Sequence, residues 1–420
     1  MIVANSCKVT IHYDLIVVGA GAAGMMAAIR AAEKGKSVLL LEKLPRIGAK
    51  LKATGGGRCN LTNTLDNESF MAGFGREGRF MTTALEAFDH DALRRFFKEI
   101  GVESHAPDGF RVFPVTHSST TIIRALEEEM KRCGVEVRCG EKVEAIEHSG
   151  EHITALRTQH GRYATRHIVI ATGGKGYPML GAEGDGYRLA ESAGHSATEL
   201  YPAMMPLRTK ERWVSRCRAD TIPGVQLVVD LKKYRKLKAT GDLIFTRDGI
   251  RGPVVLDFSR EITPLLAKMD EVPLKANFTR GMNEEQIRER LNQALAKNPQ
   301  QNTLELLQTL LPESLVRVLC EMAEADVTAG FRKLPGIVRD RVIGLLAWTP
   351  LTVTGHDGFD KAMITRGGIP LKEIDPDTMQ SRKIRGLYFC GEVMNLDGPC
   401  GGYNLQWSFA SGRLAGELRE

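Results

Sequence analysis

The sequence lacks the features that mark disulfide-rich, zinc-binding, membrane-spanning and secreted proteins. Its eight cysteines include no CxxC pair, which argues against a zinc site and against a disulfide framework. The longest run without charge, residues 15–29, is interrupted by glycines and is too short to cross a bilayer. The first 14 residues contain no apolar core followed by a small-residue cleavage site. We therefore expect reduced thiols, no bound metal and a location in the cytoplasm.

What is present is the composition of a globular protein with two or three domains. The 420 residues are 43% hydrophobic and 26% charged, and the chain exceeds the usual length of one domain. Its 43 glycines are more than an average chain carries, so tight turns and close backbone approaches should be common.

The start of the chain predicts a βαβ unit that binds a dinucleotide. An apolar strand (DLIVVGA) runs through a glycine turn (GAGAAG) into a helix, and a second strand (SVLLLEK) follows. Gly19, Gly21 and Gly24 form GxGxxG, in which the second glycine admits a pyrophosphate and the third lets helix and strand pack. Glu42 ends the second strand 18 residues after Gly24, where an acid accepts hydrogen bonds from a ribose. The other turn residues predicted to contact the cofactor are Ala20, Ala22 and Ala23.

The rest of the chain mixes helices with two kinds of β structure. Residues 91–100 and 120–133 show helical periodicity, and three short strands (KVEAIEH, HITALRT and RYATR) lead into a buried strand, HIVIATGG. After about residue 195, four segments are typical of irregular β structure: PGVQLVVDLKKY, DLIFT, GPVVLDFS and PLKANF. Residues 284–322 are predicted to be helical, and a strand, a glycine loop and a last helix end the chain.

Two later segments favour FAD over NAD as the dinucleotide. ATGG at residues 171–174 ends a strand, and GLYFCGEV at residues 386–393 precedes a glycine-rich turn and the last helix. They resemble segments of flavoproteins of the two-dinucleotide-binding type, in which one strand passes the FAD and the other delivers an acid and a helix N-terminus to the flavin. With GAKLKATGGGRCNLTN (48–63), ATGGKGYPMLGAEGDGY (171–187), MITRGG (363–368) and CGEVMNLDGPCGGYNLQWSFASG (390–412), the chain resembles the YhiN/BaiN-like family of FAD-dependent oxidoreductases over essentially its whole length.

The resemblance implies an α/β fold with three parts. A Rossmann-like FAD-binding domain would be formed from both chain ends, residues 1–194 and 361–420. A β-barrel-like domain, residues 195–280 and 337–360, would be inserted into it. A helical subdomain would span residues 281–336.

The resemblance also implies reduction of carbon–carbon double bonds, because family members are associated with dihydrouridine formation in ribosomal RNA and with reductive steps in bile-acid metabolism. No second GxGxxG occurs, so NADH or NADPH would visit the flavin transiently. The predicted acceptor is uridine in ribosomal RNA. The alternatives are a small enone or steroid-like acid, and an RNA-binding assembly factor in which FAD is only structural.

The family motifs suggest further FAD contacts. Arg58 and Asn60 either bind the pyrophosphate or flavin edge, since arginine forms forked bonds to phosphate, or fix their own loop. Glu392 and Asp397 are both candidates for the acid at the flavin ribityl chain. Asn404 opens the last helix, whose dipole would stabilise negative charge on reduced flavin, or simply caps it. The other predicted contacts are Lys43, Lys52, Gly57, Val143 (to the adenine), Thr172, Gly173, Gly174, Gly391, Gly402 and Tyr403.

The charge of +6 is concentrated in one segment, residues 208–238, which holds ten Lys or Arg and three acidic residues. A solvated basic face is one interpretation, because Lys and Arg on β edges discourage aggregation. Contact with the RNA backbone is the other, with Tyr234 available to stack on a base. The residues predicted to bind RNA are Lys232, Lys233, Arg235, Lys236 and Lys238.

Reduction of a double bond needs a general acid, because hydride reaches one carbon and a proton must reach its neighbour. Cysteine is mostly protonated at neutral pH and can donate that proton. Cys400, in GPCGGYN, and Cys59, in GGGRCN, are the candidates, and Cys400 is favoured because it precedes the last helix. The alternative is that both cysteines are simply small buried residues and that Tyr403 or a bound water is the acid.

Overall fold

A computed structural model describes residues 12–419. The chain divides into two units, a terminal unit of residues 1–201 and 364–420 and a barrel unit of residues 202–363. Cys7, and most of the N-terminal segment in which no secretory signal is predicted, lie outside the described residues. The three-part domain division stays a prediction.

The described strands are β1 (His12–Val18), β2 (Val38–Glu42), β3 (Thr62–Asn63), β4 (Ser104–His105), β5 (Arg111–Pro114), β6 (Glu136–Cys139), β7 (Val143–Ser149), β8 (His152–Thr158), β9 (Arg162–Ile170), β10 (Tyr201–Ala203), β11 (Leu207–Thr209), β12 (Thr221–Val229), β13 (Lys238–Phe245), β14 (Gly249–Arg251), β15 (Val272–Asn277), β16 (Thr349–His356), β17 (Ile364–Arg366) and β18 (Leu387–Phe389). The described α-helices are α1 (Ala22–Glu33), α2 (Ala49–Ala53), α3 (Asn67–Ala72), α4 (Thr82–Ala87), α5 (His90–Glu99), α6 (Ser119–Arg132), α7 (Asp185–Ser192), α8 (Pro253–Leu266), α9 (Glu284–Lys297), α10 (Thr303–Leu307), α11 (Glu313–Met322), α12 (Gly336–Ala347) and α13 (Tyr403–Ala415).

One sheet in the terminal unit contains strands from both ends of the chain. Its order is β6-β2-β1-β9-β8-β7, and β18 also pairs with β9. β1 lies parallel to β2 and β9, and β18 lies parallel to the end of β9. Parallel strands are covered on both faces, which explains the continuous apolar run of β1. The predicted Rossmann-like fold built from both chain ends is confirmed.

β9 joins the predicted meander to the predicted buried strand. β7, β8 and β9 pair antiparallel, with Ala155 of β8 opposite Ala164 of β9. The same strand then continues into the parallel sheet, where Ile170 lies opposite Val18 of β1. RYATR and HIVI are therefore one strand rather than two.

The last helix packs against the first through glycines. A Cβ atom at Gly412 would lie 2.2 Å from the carbonyl oxygen of Ala23, and one at Gly416 would lie 2.5 Å from that of Ala27. A Cβ atom at Gly391 would lie 2.9 Å from the Cβ of Ala23. Helices α1 and α13 can approach this closely only because these positions lack side chains, and the approach brings the first and last glycine motifs together.

The barrel unit contains a closed barrel of six antiparallel strands in the order β11-β14-β13-β12-β15-β16. Closure leaves no free sheet edge. The barrel and helices α8–α12 share one apolar core, and α9, α10 and α11 occupy the stretch predicted to be helical. The inserted β-barrel is confirmed.

The prediction of β structure for GPVVLDFS is wrong, because this segment begins helix α8. Pro253 lies in the first turn, where its missing N–H is not needed. Val254, Val255 and Phe258 are buried at helical spacing. The valines favour strands locally, but burial of one helical face in the core overrides that preference.

Across residues 12–419, the helices are all too short or too polar to cross a membrane. The same part of the chain contains no group of three or more His, Cys, Asp or Glu side chains able to hold a metal ion.

Candidate active site

The three glycines between β1 and α1 differ in what surrounds them. Gly19 has a φ of +103°, and a Cβ atom there would lie 2.7 Å from the carbonyl oxygen of Ala171. A Cβ atom at Gly24 would lie 1.9 Å from the carbonyl oxygen of Gly19, whereas one at Gly21 would meet nothing within 4 Å. The backbone at Gly21 therefore borders open space at the start of α1, where a diphosphate is expected.

Glu42 is held in place by the backbone. Its two carboxylate oxygens accept hydrogen bonds of 2.9 Å from Ala20 N and Leu44 N. Carboxylate oxygens have further lone pairs, so Glu42 can still accept bonds from ribose hydroxyls. Glu141 N donates to Glu42 O at 2.9 Å, which brings the segment preceding Val143 beside Glu42.

Lys43 forms ion pairs with two carboxylates. Its Nζ lies 2.6 Å from Glu183 Oε2 and 2.5 Å from Asp185 Oδ2. Burial opposes the charged form, but the two carboxylates raise the pKa of Lys43 above its usual value. Its predicted contact with the cofactor stays a prediction.

Four motifs that are far apart in sequence meet at Lys50, Gly174, Thr365 and Glu392, which we call the motif junction. Lys50 Nζ lies 2.8 Å from Glu392 Oε2, and Glu392 Oε1 accepts a bond of 2.9 Å from Thr365 N. Thr365 Oγ1 accepts a bond of 2.7 Å from Lys175 N. A Cβ atom at Gly174 would lie 2.3 Å from Thr365 Oγ1 and 2.7 Å from Glu392 Oε1, so a side chain at this position would collide with both.

Tyr187 and Thr172 border the motif junction. Burial and the charge of Glu392 raise the pKa of the Tyr187 hydroxyl well above its usual value, so it stays protonated. A Cβ atom at Gly186 would lie 2.0 Å from Thr172 Oγ1, which shows how closely α7 approaches the end of β9. The neighbouring Gly173 has a φ of +71° and borders open space.

The GGGRC segment forms a loop with a left-handed backbone. Gly55, Gly56 and Gly57 have φ angles of +58°, +66° and +88°, and Gly56 and Gly57 border open space. The Arg58 guanidinium lies 5.4 Å from the centre of the Phe113 ring, and its Nε donates to Gly55 O at 3.3 Å. Arg58 thus rests on a ring and a carbonyl with its charge exposed.

Asn60 joins this loop to the loop before α13. With its amide oriented to satisfy its neighbours, its nitrogen donates to Val112 O at 3.2 Å and to Thr62 O at 3.0 Å, and its oxygen accepts from Gly402 N at 3.0 Å. A Cβ atom at Gly402 would lie 2.4 Å from Thr62 O. The two predicted flavin-facing loops are therefore held against each other.

The loop before α13 is closed by Asn404, whose side chain accepts from Gly398 N at 2.8 Å and donates to Gly398 O at 2.9 Å. Tyr403 stacks on Phe70 with ring centres 4.9 Å apart. Asp397 lies 3.8 Å from Arg366, whereas Glu392 belongs to the motif junction. The choice between the two acids for the ribityl chain stays open.

The arrangement fits FAD. Open backbone at Gly21, Gly56, Gly57 and Gly173 offers amides to phosphates and to a flat ring, and Glu42 keeps acceptor sites for a ribose. Lys50 and Thr365 are absent from the sequence prediction, although both lie in the quoted motifs. Lys52, which the sequence predicts instead, is exposed, and its carbonyl accepts a bond of 2.8 Å from Ser119 Oγ.

Comparison with known proteins agrees with this geometry. The model of the HI0933-like protein Rossmann domain matches residues 13–418. The chain belongs to the HI0933-like family. It is 32% identical to the 3-dehydro-bile acid delta(4,6)-reductase of Clostridium scindens, over 95% of this chain and 97% of that one. It is 29% identical to the ribosomal RNA dihydrouridine synthase of Haemophilus influenzae, over 95% of this chain and 96% of that one.

Membership of the HI0933-like family makes the chain an FAD-dependent oxidoreductase. The fold agrees with that of a 3-ketosteroid delta1-dehydrogenase from Sterolibacterium denitrificans, with a TM-score of 0.52, 13% identity and coverage of 97% of this chain and 99% of that one. At that identity the likeness extends to the fold alone.

The two candidate proton donors differ in exposure. Cys59 is fully buried with a φ of +60°, and burial raises the pKa of its thiol to about 12. Cys400, in the loop before α13, is half-buried. Both assignments stay predictions, and only Cys400 has surface that a substrate could reach.

The basic segment separates into two parts in the barrel unit. In the first part, Arg208, Lys210 and Arg216 pair with carboxylates. The second part, which we call the basic hairpin, lies between β12 and β13 and includes the first residue of β13. Its charged residues are exposed and form no ion pairs with described residues. These residues are Lys232, Lys233, Arg235, Lys236 and Lys238. Tyr234 lies among them, half-buried, with Lys233 Nζ 5.3 Å from the centre of its ring.

Proposed function

We propose that the chain takes electrons from NADH or NADPH onto FAD and uses them to reduce the carbon–carbon double bond of uridine in ribosomal RNA. A relative that is similar over almost the whole chain is named a ribosomal RNA dihydrouridine synthase. The observation that carries the choice of RNA is the basic hairpin.

The basic hairpin has the chemistry of a surface for a polyanion. Five exposed cations lie within seven residues, and described acids neutralise none of them. Fixed positive charge of this density binds phosphates mainly by releasing counterions. The ring of Tyr234, placed among these cations, is suited to stacking on an unpaired base.

The proposed reaction assigns a role to each part of the terminal unit. The free amides at the start of α1 would hold the diphosphate, and Glu42 would hold a ribose. The bound flavin would supply hydride transfer. Cys400 would supply the proton to the second carbon and regain it from solvent, because its loop is partly exposed.

A second candidate keeps the same chemistry with a small enone or steroid-like acid as the acceptor. The observation that favours it is the similarity, at 32% identity, to a bile acid reductase. The third alternative, an RNA-binding assembly factor with structural FAD, predicts no acceptor-dependent oxidation of NADH or NADPH.

The test is to delete the gene and map reduced uridines in ribosomal RNA, and to measure NAD(P)H oxidation by the purified flavoprotein with protein-free ribosomal RNA and with a steroid enone. Loss of one reduced uridine and oxidation driven by RNA would support the proposal. Oxidation driven only by the enone would favour the second candidate. If neither acceptor drives oxidation, the third alternative would be favoured.

The basic hairpin has a matched control within the same segment. Changing Lys232, Lys233 and Lys236 to Gln should weaken RNA binding and make the slope of log affinity against log salt shallower by roughly 0.7 to 0.9 for each lost phosphate contact. The same three-charge change at Arg208, Lys210 and Arg216, which are already paired with acids, should alter the slope much less. Equal effects of the two variants would leave the basic hairpin as a solvated face.

A further inference from the structure

Lys50 and Glu392 form the charge pair of the motif junction, and it is largely sheltered from solvent. Its side chains are only 24% and 17% exposed, and the two atoms lie 2.8 Å apart. Glu392 is fixed through its other oxygen by Thr365 N, and the lack of a side chain at Gly174 makes room for that oxygen. The positions of both charges are therefore set by residues of four separate motifs.

Stability alone does not account for this pair. Holding a lysine in one geometry costs about 2 kcal/mol of side-chain entropy, and partly buried pairs lose solvation that their attraction only partly returns. An apolar contact between α2 and the loop after β18 would hold the two segments at no such cost. The pair also lies next to open space, because Gly174, which borders Glu392, follows Gly173, where a Cβ atom would meet nothing within 4 Å.

We propose that Lys50 and Glu392 set the reduction potential of the bound FAD, with Lys50 favouring the reduced form and Glu392 opposing it. The proposal rests on the FAD chemistry of the HI0933-like family and is independent of which acceptor is reduced. Two-electron reduction makes the flavin ring system richer in electrons, so a nearby cation stabilises the reduced form and a nearby anion destabilises it. Together the two charges nearly cancel. When one of them is removed, the charge of the other is no longer balanced.

The pair therefore predicts shifts of opposite sign. Lys50→Met should lower the midpoint potential, because the negative charge of Glu392 is then left without its cation, and Glu392→Gln should raise it. A tenfold change in the ratio of FAD affinities for the two redox states corresponds to about 30 mV for a two-electron couple, and we expect shifts of at least that size. The double variant should return to near the potential of the unchanged protein, and Lys50→Arg, which keeps the charge, should stay close to it.

The experiment measures the midpoint potential of the holoprotein by equilibration with a reference dye, together with the FAD dissociation constant and the thermal midpoint of each variant. Lys98→Met is the matched control, because Lys98 is 69% exposed and its pair with Glu103 lies at the surface. It should leave the potential unchanged.

Shifts of the same sign in Lys50→Met and Glu392→Gln, or no shift in either while FAD is retained, would overturn the proposal and leave the pair structural. If Lys50→Met loses FAD or fails to fold, Glu392→Gln decides, and an unchanged or lowered potential there refutes the proposal. A failure here would leave the RNA proposal intact, because that is tested by the reduced-uridine map.

Discussion

Gly21 and Gly24 provide a sharp test of the site, because the same methyl group should have opposite consequences at two positions in one turn. A Cβ atom at Gly21 would meet nothing within 4 Å, and this residue has a φ of −83°, which any amino acid can adopt. A Cβ atom at Gly24 would lie 1.9 Å from the carbonyl oxygen of Gly19. The first methyl group therefore enters the proposed diphosphate space, and the second enters the protein.

The magnitudes follow from these contacts. Gly21→Ala should change the free energy of unfolding of the apoprotein by less than about 1 kcal/mol, since alanine caps a helix slightly less well than glycine but restricts the unfolded chain. It should weaken FAD binding by about 2–3 kcal/mol, roughly 30- to 150-fold, because backbone amides lose their partners on the diphosphate. Gly24→Ala gains about 1 kcal/mol of helix propensity but forces overpacking of about 3 kcal/mol against backbone, a net loss near 2 kcal/mol.

The assay is urea unfolding of the two apoproteins combined with titration by FAD, followed by flavin fluorescence. Gly21→Ala should be nearly as stable as the unchanged protein with poor FAD affinity, whereas Gly24→Ala should be destabilised before any FAD is added. Full FAD affinity in Gly21→Ala would refute the placement of the diphosphate at α1, and an undisturbed Gly24→Ala would refute the close contact between α1 and Gly19.

Three further predictions concern other parts of the terminal unit. Cys400→Ala should retain FAD and its reduction by NAD(P)H but slow reoxidation by the acceptor about a hundredfold, the scale of a missing general acid, in rapid-mixing experiments; normal reoxidation with a defect in Cys59→Ala instead would exchange their roles. Burial lowers the pKa of the His195 imidazole below its usual value of 6.5. As the pH falls, the unfolded chain therefore takes up a proton at this residue before the folded protein does, and stability should fall below about pH 6.5. Burial would raise the pKa of Glu373, but hydrogen bonds from Ser196 and Lys383 lower it to about 2, so a second loss should follow between about pH 4.5 and 2; His195→Gln should remove the first loss in unfolding midpoints and leave the second, and an unaltered pH profile would contradict this assignment. Gly412→Leu should destabilise the apoprotein by at least about 2 kcal/mol in urea unfolding, because its side chain would displace α13 from Ala23, and a stability equal to that of the unchanged protein would show that the helices can separate freely.

The sequence alone was sufficient to predict those segments whose structure depends on residues that are close in sequence. The βαβ unit is readable because strand, glycine turn, helix and Glu42 are consecutive and each has a strong local preference. The helices α5 and α6 and the strands of the meander are readable for the same reason, since their periodicity is complete within each segment. The family motifs then extend the prediction to the split FAD domain and the inserted barrel.

Tertiary structure decided what depends on residues that are distant in sequence. Lys50 gives no local signal that distinguishes it from Lys52, and only the folded chain brings it within 2.8 Å of Glu392. Valines favoured a strand at the start of α8 until burial in the barrel core selected a helix. The basic segment looks uniform in sequence, yet three cations of its first part pair with Asp357, Glu271 and Glu321, whereas the charged residues of the basic hairpin have no such partners among the described residues. Ion pairing and burial act between segments that the fold alone makes neighbours, so no reading of one segment can supply them.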